Sequence, residues 1–334
     1  MHAIRLHAFG PAENLVHEVT DTPVPAHGQV RIAVAAAGVH LLDTTLREGQ
    51  QGPLPALLEL PTIPGREVAG TVDALGPGTE PKWLGRRVVT HLGFAPGGYA
   101  EHAVADAERL HLVPPGLDPA TAVAMIGTGR TTLGILGFTD LGPDSIALVP
   151  AAAGGIGTLL VQHAKNAGAT VIALAGGPAK ADKARANGAD LALDYTRPDW
   201  PTTARAHLDA RHAPGATVLF DSVGGTVART ALDLLAPGAL HLVFGWSGGP
   251  LTLTDAERAT LTARGITTQP VLGPAMLQRA GGPDPLRTLE TRALAEAAAG
   301  RLRPALQRYP LAEAAAAHRA LETRATTGKV VLEP

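Results

Sequence analysis

The chain has 334 residues, 45% hydrophobic and 17% charged, enough apolar material to fill the cores of two domains. A formal net charge of -2 gives no basic field to hold a phosphate backbone or an anionic bilayer, so neither nucleic acid nor membrane is an expected partner. Cysteine is absent, which removes disulfides, thiolate nucleophiles and every cysteine-containing zinc site.

The amino terminus, MHAIRLHAFG, lacks an apolar stretch of signal-peptide length, and cytoplasmic residence is the default expectation. Through about residue 110, Gly and Pro punctuate short apolar runs such as Val30 to Ala35, Val68 to Val72 and Arg87 to His91, which predicts an irregular, β-rich region. From about Ala120 the texture becomes apolar strands alternating with Ala-rich helical stretches, the pattern of a parallel sheet with crossover helices. The uncharged run from Ser145 to His163 approaches membrane-spanning length, but Pro150 and three glycines interrupt it, and it reads as a buried strand entering a helix. Strands are predicted at Ile146 to Val149, Val171 to Ala175, Ala192 to Asp194, Val218 to Asp221, Leu240 to Phe244 and Ile266 to Gln269. Six such strands make a doubly wound, Rossmann-type α/β domain. The tail from about Ala275 is helical and ends in a short strand, Lys329 to Leu332, which is too little to fold alone. It is expected to pack back on the amino-terminal region and make that region discontinuous, with 1–120 and 275–334 in one domain and 121–274 in the other.

The strand from Ile146 runs through Pro150 into AAAGGIG, residues 151–157, and then into TLLVQHAKNAG with helical spacing. Glycine there lets backbone approach a pyrophosphate, and the following helix turns free N–H groups and its positive dipole end toward the anion. Against G-x-G-x-x-G the chain places Ala152, Gly154 and Gly157, so the first glycine is replaced. A motif match this short is weak alone. The strand before it, the helix after it and a second strand near Thr170 give it weight against a glycine-rich turn with no ligand.

At the end of the second strand, NAD sites carry Asp or Glu to grip the ribose 2'-hydroxyl and repel a 2'-phosphate. Here Ala175, Gly176 and Gly177 occupy those positions, with Lys180 just beyond. The chain has five lysines against 23 arginines, so a lysine at this spot stands out from generic surface charge, although a solvated helix face also accounts for it. The expected cofactor is NADPH, with Lys180 on the phosphate.

The blocks AAGVHLLDTTLREG, LPTIPGREVAGTV, GGYAEHAV, AAAGGIGTLLVQHAKNAGATVIA, KARANGADLALDY, FDSVGG and TTGKVVL, in this order and spacing, resemble the zinc-free quinone oxidoreductases of the medium-chain dehydrogenase/reductase superfamily, the zeta-crystallin-like branch. That resemblance covers nearly the whole chain and implies a Rossmann-type sheet joined to a discontinuous, β-rich GroES-like domain. It implies NADPH-dependent hydride transfer to a quinone, or to the β-carbon of an α,β-unsaturated carbonyl compound. It also implies a homodimer, paired through the last cofactor-domain strand around Ile266 to Gln269, whose edge would otherwise be open. By the same resemblance, Gly154, Gly155 and Ile156 should meet the pyrophosphate, Lys180 and Tyr195 should flank the 2'-phosphate, and Thr131, Phe244 and Gly245 should lie near the nicotinamide ribose and carboxamide. An aromatic after a strand, such as Tyr195, serves packing as readily as recognition.

Zinc alcohol dehydrogenases of this superfamily have a Cys ligand in the block that here reads Gly38-Val39-His40, and a His ligand where this chain reads Gly65-Arg66-Glu67. The four-cysteine lobe is missing too, so no metal is expected. Without a Lewis acid to hold an alkoxide, the accessible chemistry is hydride delivery to an acceptor that delocalises the incoming charge into an enolate or hydroquinone anion. Two departures from the family pattern fall in the expected substrate cleft. His40 replaces a common Asn and has two readings: a donor or proton source for the enolate, or a core imidazole satisfied by its neighbours. Arg66, often Thr in the family, either orients an acidic substrate or pairs with Glu67 or Asp43. Related enoyl reductases carry a Tyr where this chain has Leu41, which puts a tyrosine proton donor in doubt. A dedicated biosynthetic enoyl reductase and a catalytically silent nucleotide binder remain as alternatives. Trp246 is expected to wall the substrate pocket or pack inside.

Overall fold

The computed structural model describes residues 1–52 and 54–334, and these form two compact units. The first comprises 1–129, 290–300 and 304–334, and the second 130–289 with 301–303.

The first unit is built on a seven-stranded sheet around Gln29–Val39. Val30, Ile32 and Val34 alternate inward along that strand, the two-residue period of a sheet with one face on a core. Glu67–Leu75 and His102–Asp106 pair with it antiparallel, and Arg87–His91 extends the sheet beyond Glu67–Leu75. The carboxy-terminal strand Lys329–Glu333 also joins Gln29–Val39 antiparallel, with Val330 opposite Val39 and Leu332 opposite Ala37. Leu306–Pro310 then runs parallel to it at the sheet's edge. The tail strand therefore places Lys329 beside the chain leaving Val39, the feature of the fold on which the site depends.

The second unit is a six-stranded parallel sheet. Its strand order is Leu191–Asp194, Thr170–Ala175, Ile146–Pro150, Ala216–Asp221, Leu235–Val243 and Thr267–Pro270. IALVP and TVIALA are near-continuous apolar runs because helices cover both faces of such a sheet. The fifth strand starts at Leu235, five residues before the sequence pattern predicts, and contains Pro237 and Gly238. Those residues read as a breaker in sequence. The strand accommodates them with a register shift against Ala216–Val218. Among the described residues no helix is long and apolar enough to cross a membrane, and the run from Ser145 to His163 is the first sheet strand followed by helix Gly155–Asn166.

Helix Ala314–Glu322, which precedes the terminal strand, packs His318 into the first unit's core. Tyr99 Oη donates to Asp43 Oδ2 at 2.9 Å, so the 3.3 Å contact between Tyr99 Oη and His318 Nε2 requires the proton on Nε2, and Nδ1 is left buried without a partner. Burial, aided by the Arg47 cation, depresses the His318 pKa from 6.5 to about 4 against the opposing pull of Asp43 and Glu322. An unfolded chain thus binds this proton below pH 6.5 and the folded chain only below about 4. Stability is fully present above 6.5 and falls as the pH drops through that window, by roughly 3 kcal/mol from this group. Urea unfolding at pH 7.5 and 4.5 should show His318→Leu losing less stability on acidification than the wild type; equal losses would assign the effect elsewhere.

Candidate functional site

In the second unit, residues 151–153 form the turn after the first sheet strand, and Ala151 takes φ +51 to make it. Ala152 is fully buried, and its N–H donates to Leu174 O at 3.0 Å, tying the turn to the end of the neighbouring strand. The alanine in the first glycine's place is therefore accommodated. Helix Gly155–Asn166 begins at Gly154 with no side chain capping it, so its opening N–H groups keep their outward donors. Gly157 lies in that first turn, where an added Cβ would overlap Ala151 O and come within 2.8 Å of Ala152 Cα. Glycine is needed there for the helix to close on the turn.

At the end of the second strand, Gly176 faces Tyr195, with a hypothetical Cβ only 3.0 Å from the phenol oxygen. Lys180 stands in the first turn of helix Pro178–Ala186. Lys180 and Tyr195, the two residues expected at the 2'-phosphate, thus share one end of the sheet with Gly176. Sequence inspection of Ala175 to Gly177 missed a carboxylate contributed by the adjacent strand. Asp194 Oδ1 accepts from Gly177 N at 2.8 Å, Thr196 N at 3.0 Å and Thr196 Oγ1 at 2.7 Å. Desolvation raises its pKa, but these donors outweigh it and the net shift is downward. One of its oxygens is thereby committed to closing the turn that carries Gly177.

Phe244 and Gly245 follow the fifth strand, with Phe244 N on Asp221 O at 2.9 Å. Gly245 leaves no room for a side chain, since its Cβ would come within 2.8 Å of Ser222 O. Thr131 is the second residue of helix Arg130–Leu136, at the start of the unit, and is half-buried. Trp246 is 72% exposed, so it does not pack inside; it edges a cavity of 580 Å³ within this unit that is also lined by the buried Asp221 and His241 and by Thr268, which hydrogen-bonds His241.

In the first unit, three strand ends meet at one buried carboxylate. Glu67 opens its strand and is fully buried, Lys329 opens the terminal strand and is 4% exposed, and His40 follows Val39. Lys329 Nζ donates to Glu67 Oε2 at 2.9 Å and lies 2.8 Å from His40 Nε2, which is itself 2.6 Å from Glu67 Oε1. Burial alone would raise the Glu67 pKa; the neighbouring His40 and Lys329 outweigh it and hold the carboxyl well below the ordinary range. Space for this carboxylate is made by Gly38 and Gly127, where an added Cβ would overlap Glu67 Oε2 and Oε1 respectively.

A second carboxylate, Asp43, seats the helix Leu41–Arg47 that His40 caps. Its Oδ2 accepts from His40 N at 2.8 Å as well as from Tyr99, and its Oδ1 faces Arg66 Nε at 3.8 Å. Arg66 is 9% exposed, and its Nε makes no hydrogen bond. His40 and Arg66 are thus brought together through Asp43. Sequence reasoning named them but passed over Lys329, although the scarcity of lysine that drew attention to Lys180 applies equally to a lysine inside GKVVL.

The donor set does not fit a metal ion. Val39 and Arg66 supply no ligand atom, Glu67 is enclosed by its two partners, and among the described residues no three His, Asp or Glu are placed to share an ion.

Comparison with known proteins agrees with this architecture. The model of the alcohol dehydrogenase GroES-like domain matches residues 26–115, and that of the zinc-binding dehydrogenases matches 155–280. A quinone oxidoreductase of Pseudomonas aeruginosa is 34% identical over 99% of both chains, and a 2-haloacrylate reductase of a Burkholderia species is 32% identical over 98% of both. The crystal structure of an Escherichia coli quinone oxidoreductase complexed with NADPH covers the whole chain at a TM-score of 0.84 and 28% identity.

The packing around Glu67 makes a direct prediction. Gly127→Ala should cost roughly 1–3 kcal/mol or more by overpacking a site that cannot retreat. Gly142→Ala, at a position with nothing within 4 Å of the new methyl, should be nearly neutral in the same urea titration.

Proposed function

The chain belongs to the quinone oxidoreductase family of the medium-chain dehydrogenase/reductases, and on that premise we propose that it uses NADPH to reduce quinones or the conjugated double bond of α,β-unsaturated carbonyl compounds. The observation that carries this reading is the second unit's cofactor end. There an uncapped helix start stands over a turn that Gly157 alone can close, beside a strand end that reads Ala175-Gly176-Gly177 with Lys180 in the helix turn just beyond.

On this reading the pyrophosphate is held by backbone from Ala152 through Gly154, Gly155, Ile156 and Gly157. Gly176, Lys180 and Tyr195 take the adenosine 2'-phosphate, and Thr131, Phe244 and Gly245 border the nicotinamide ribose and carboxamide. When bound, NADPH supplies a hydride. The protein's own task is to supply the proton that the resulting anion needs, and His40 is the proposed source. Its ring is 26% exposed while both of its charged neighbours are buried, so it is the member of that group able to meet an acceptor. Arg66 faces Asp43, the carboxylate that fixes the helix cap positioning His40. A conjugated acceptor suits such a site because hydride addition gives an enolate or hydroquinone anion, which a few donors can stabilise without a metal. A homodimer is part of the proposal, since Thr267–Pro270 ends the sheet and its outer edge is unpaired among the described residues.

A parallel screen of NADPH and NADH oxidation with benzoquinones, acyclic and cyclic enones and alkenals tests the reaction. NADPH-dependent turnover of at least one conjugated class is expected, and brisk oxidation of saturated alcohols instead would overturn the proposal. Lys180→Glu should raise the Kd for NADPH at least tenfold, since it replaces a charge-assisted contact with a repulsion. The Kd for NADH should change far less, and equal effects on both would remove Lys180 from the phosphate site. His40→Ala should lower kcat with an enone while leaving NADPH affinity near its starting value.

A further inference from the structure

We infer that Lys329 is the proton reservoir behind His40, and that Glu67 locks the two nitrogens together so that a proton can pass from Lys329 Nζ to His40 Nε2 during turnover. This inference rests on the reading of His40 as proton source.

The geometry that carries it is the closed triangle of Glu67, Lys329 and His40. With Glu67 ionised and Lys329 protonated, the ammonium donates to both Glu67 Oε2 at 2.9 Å and His40 Nε2 at 2.8 Å. The one lone pair of His40 Nε2 is thereby occupied by Lys329, and the ring nitrogen stands 2.6 Å from Glu67 Oε1 with no hydrogen between them. In that arrangement Glu67 Oε1 is buried with no hydrogen-bond partner. Moving one proton from Nζ to Nε2 along that contact turns the ring into a cation beside Oε1 and leaves the Lys329 amine as the acceptor of the new Nε2–H. In one placement the Lys329 ammonium faces the carboxylate and in the other the His40 imidazolium does, so the triangle offers the proton two seats. The carboxylate cannot relieve the conflict by swinging aside, because Gly38 and Gly127 close on its two oxygens. Lys329 and Glu67 have no route to solvent of their own, being 4% and 0% exposed in their side chains, whereas His40 is 26% exposed.

The step balances without a further reagent. Hydride addition leaves an anion on the acceptor. The Nδ1–H bond of His40 breaks and a C–H or O–H bond forms on that anion. The Nζ–H bond of Lys329 breaks as the Nε2–H bond forms, and Glu67 remains a carboxylate throughout. Water then restores the proton to Lys329 through the exposed ring. Lys329 acts through His40 and is a positioning and relay residue; it is not expected to touch the acceptor.

Two acceptors separate a relay from a merely structural ion pair. A hydroquinone anion takes its proton on oxygen, which water supplies readily, while an enolate must be protonated on carbon. Lys329→Met should therefore lower the ratio of enone kcat to quinone kcat at least tenfold, and Lys329→Arg should lower it less. Because Lys329→Met strands a buried charge, the double variant Glu67→Gln, Lys329→Met is measured beside it and should show the same fall in ratio. An unchanged ratio in a folded variant overturns the relay. Nitrogen-15 NMR of the His40 ring gives a reading that needs no turnover. Its Nε2 and Nδ1 shifts should move in the double variant toward those of a free imidazole, and identical shifts with and without Lys329 overturn the inference. Failure of the wild type to reduce either acceptor would instead overturn the functional reading, and the ring shifts would still show whether Lys329 and His40 share a proton.

Discussion

A carboxylate fully removed from water organises the first unit. Stranding such a charge costs several kcal/mol unless partners surround it, and Glu67 has a lysine on one oxygen and an imidazole on the other. The remaining directions are closed by two positions that tolerate no side chain at all, Gly38 and Gly127. These residues lie far apart in sequence, and sheet register assembles them. Pairing of Val330 with Val39 and of Ala37 with Val68 brings the start of the terminal strand, the end of the long central strand and the start of Glu67–Leu75 to the same place. Loss of the last strand would therefore unpair a buried charge as well as shorten a sheet.

The two units illustrate different kinds of legibility. The strand–turn–helix that opens the second unit's sheet could be read from sequence because its pattern is local: the three follow one another within about twenty residues, and Gly157 is demanded by atoms only six residues upstream. Lys180 was noticed for the same reason. Asp194 was not, because its contact with Gly177 spans two strands and depends on the parallel pairing of Asp194 with Ala175. A pattern that looks along the chain sees Ala175, Gly176 and Gly177 without a carboxylate, yet the sheet supplies one from next door. The early start of the fifth strand was hidden by Pro237 and Gly238, which end strands in most contexts and here sit against an irregular stretch of the neighbour.

The network in the first unit was legible only in part. His40 and Arg66 drew attention as departures from a family pattern, but the partners that decide their chemistry come from positions 43, 67, 99 and 329. Tyr99 and Lys329 gave little local signal. Tyr99 follows a Gly-Gly pair and Lys329 opens an apolar strand, places where an aromatic or a long aliphatic stem reads as packing. Composition held one clue, since a chain with so few lysines places one of them inside a buried strand.

His40 sits where these constraints leave freedom. Its backbone is fixed by Asp43, and the Nε2 side of its ring is fixed by Glu67 and Lys329, so neither the helix cap nor the ring can drift without exposing a buried charge. A side chain held this firmly by groups that do not themselves reach solvent has lost its conformational entropy during folding. The contacts that stabilise the sheet end thereby preorganise the ring for the proton-donating role proposed for it. Asn at this position could fill the space, but it cannot exchange a proton near neutral pH. Placing an imidazole against an ammonium and a carboxylate thus changes what the strand ends can do without changing how they are built.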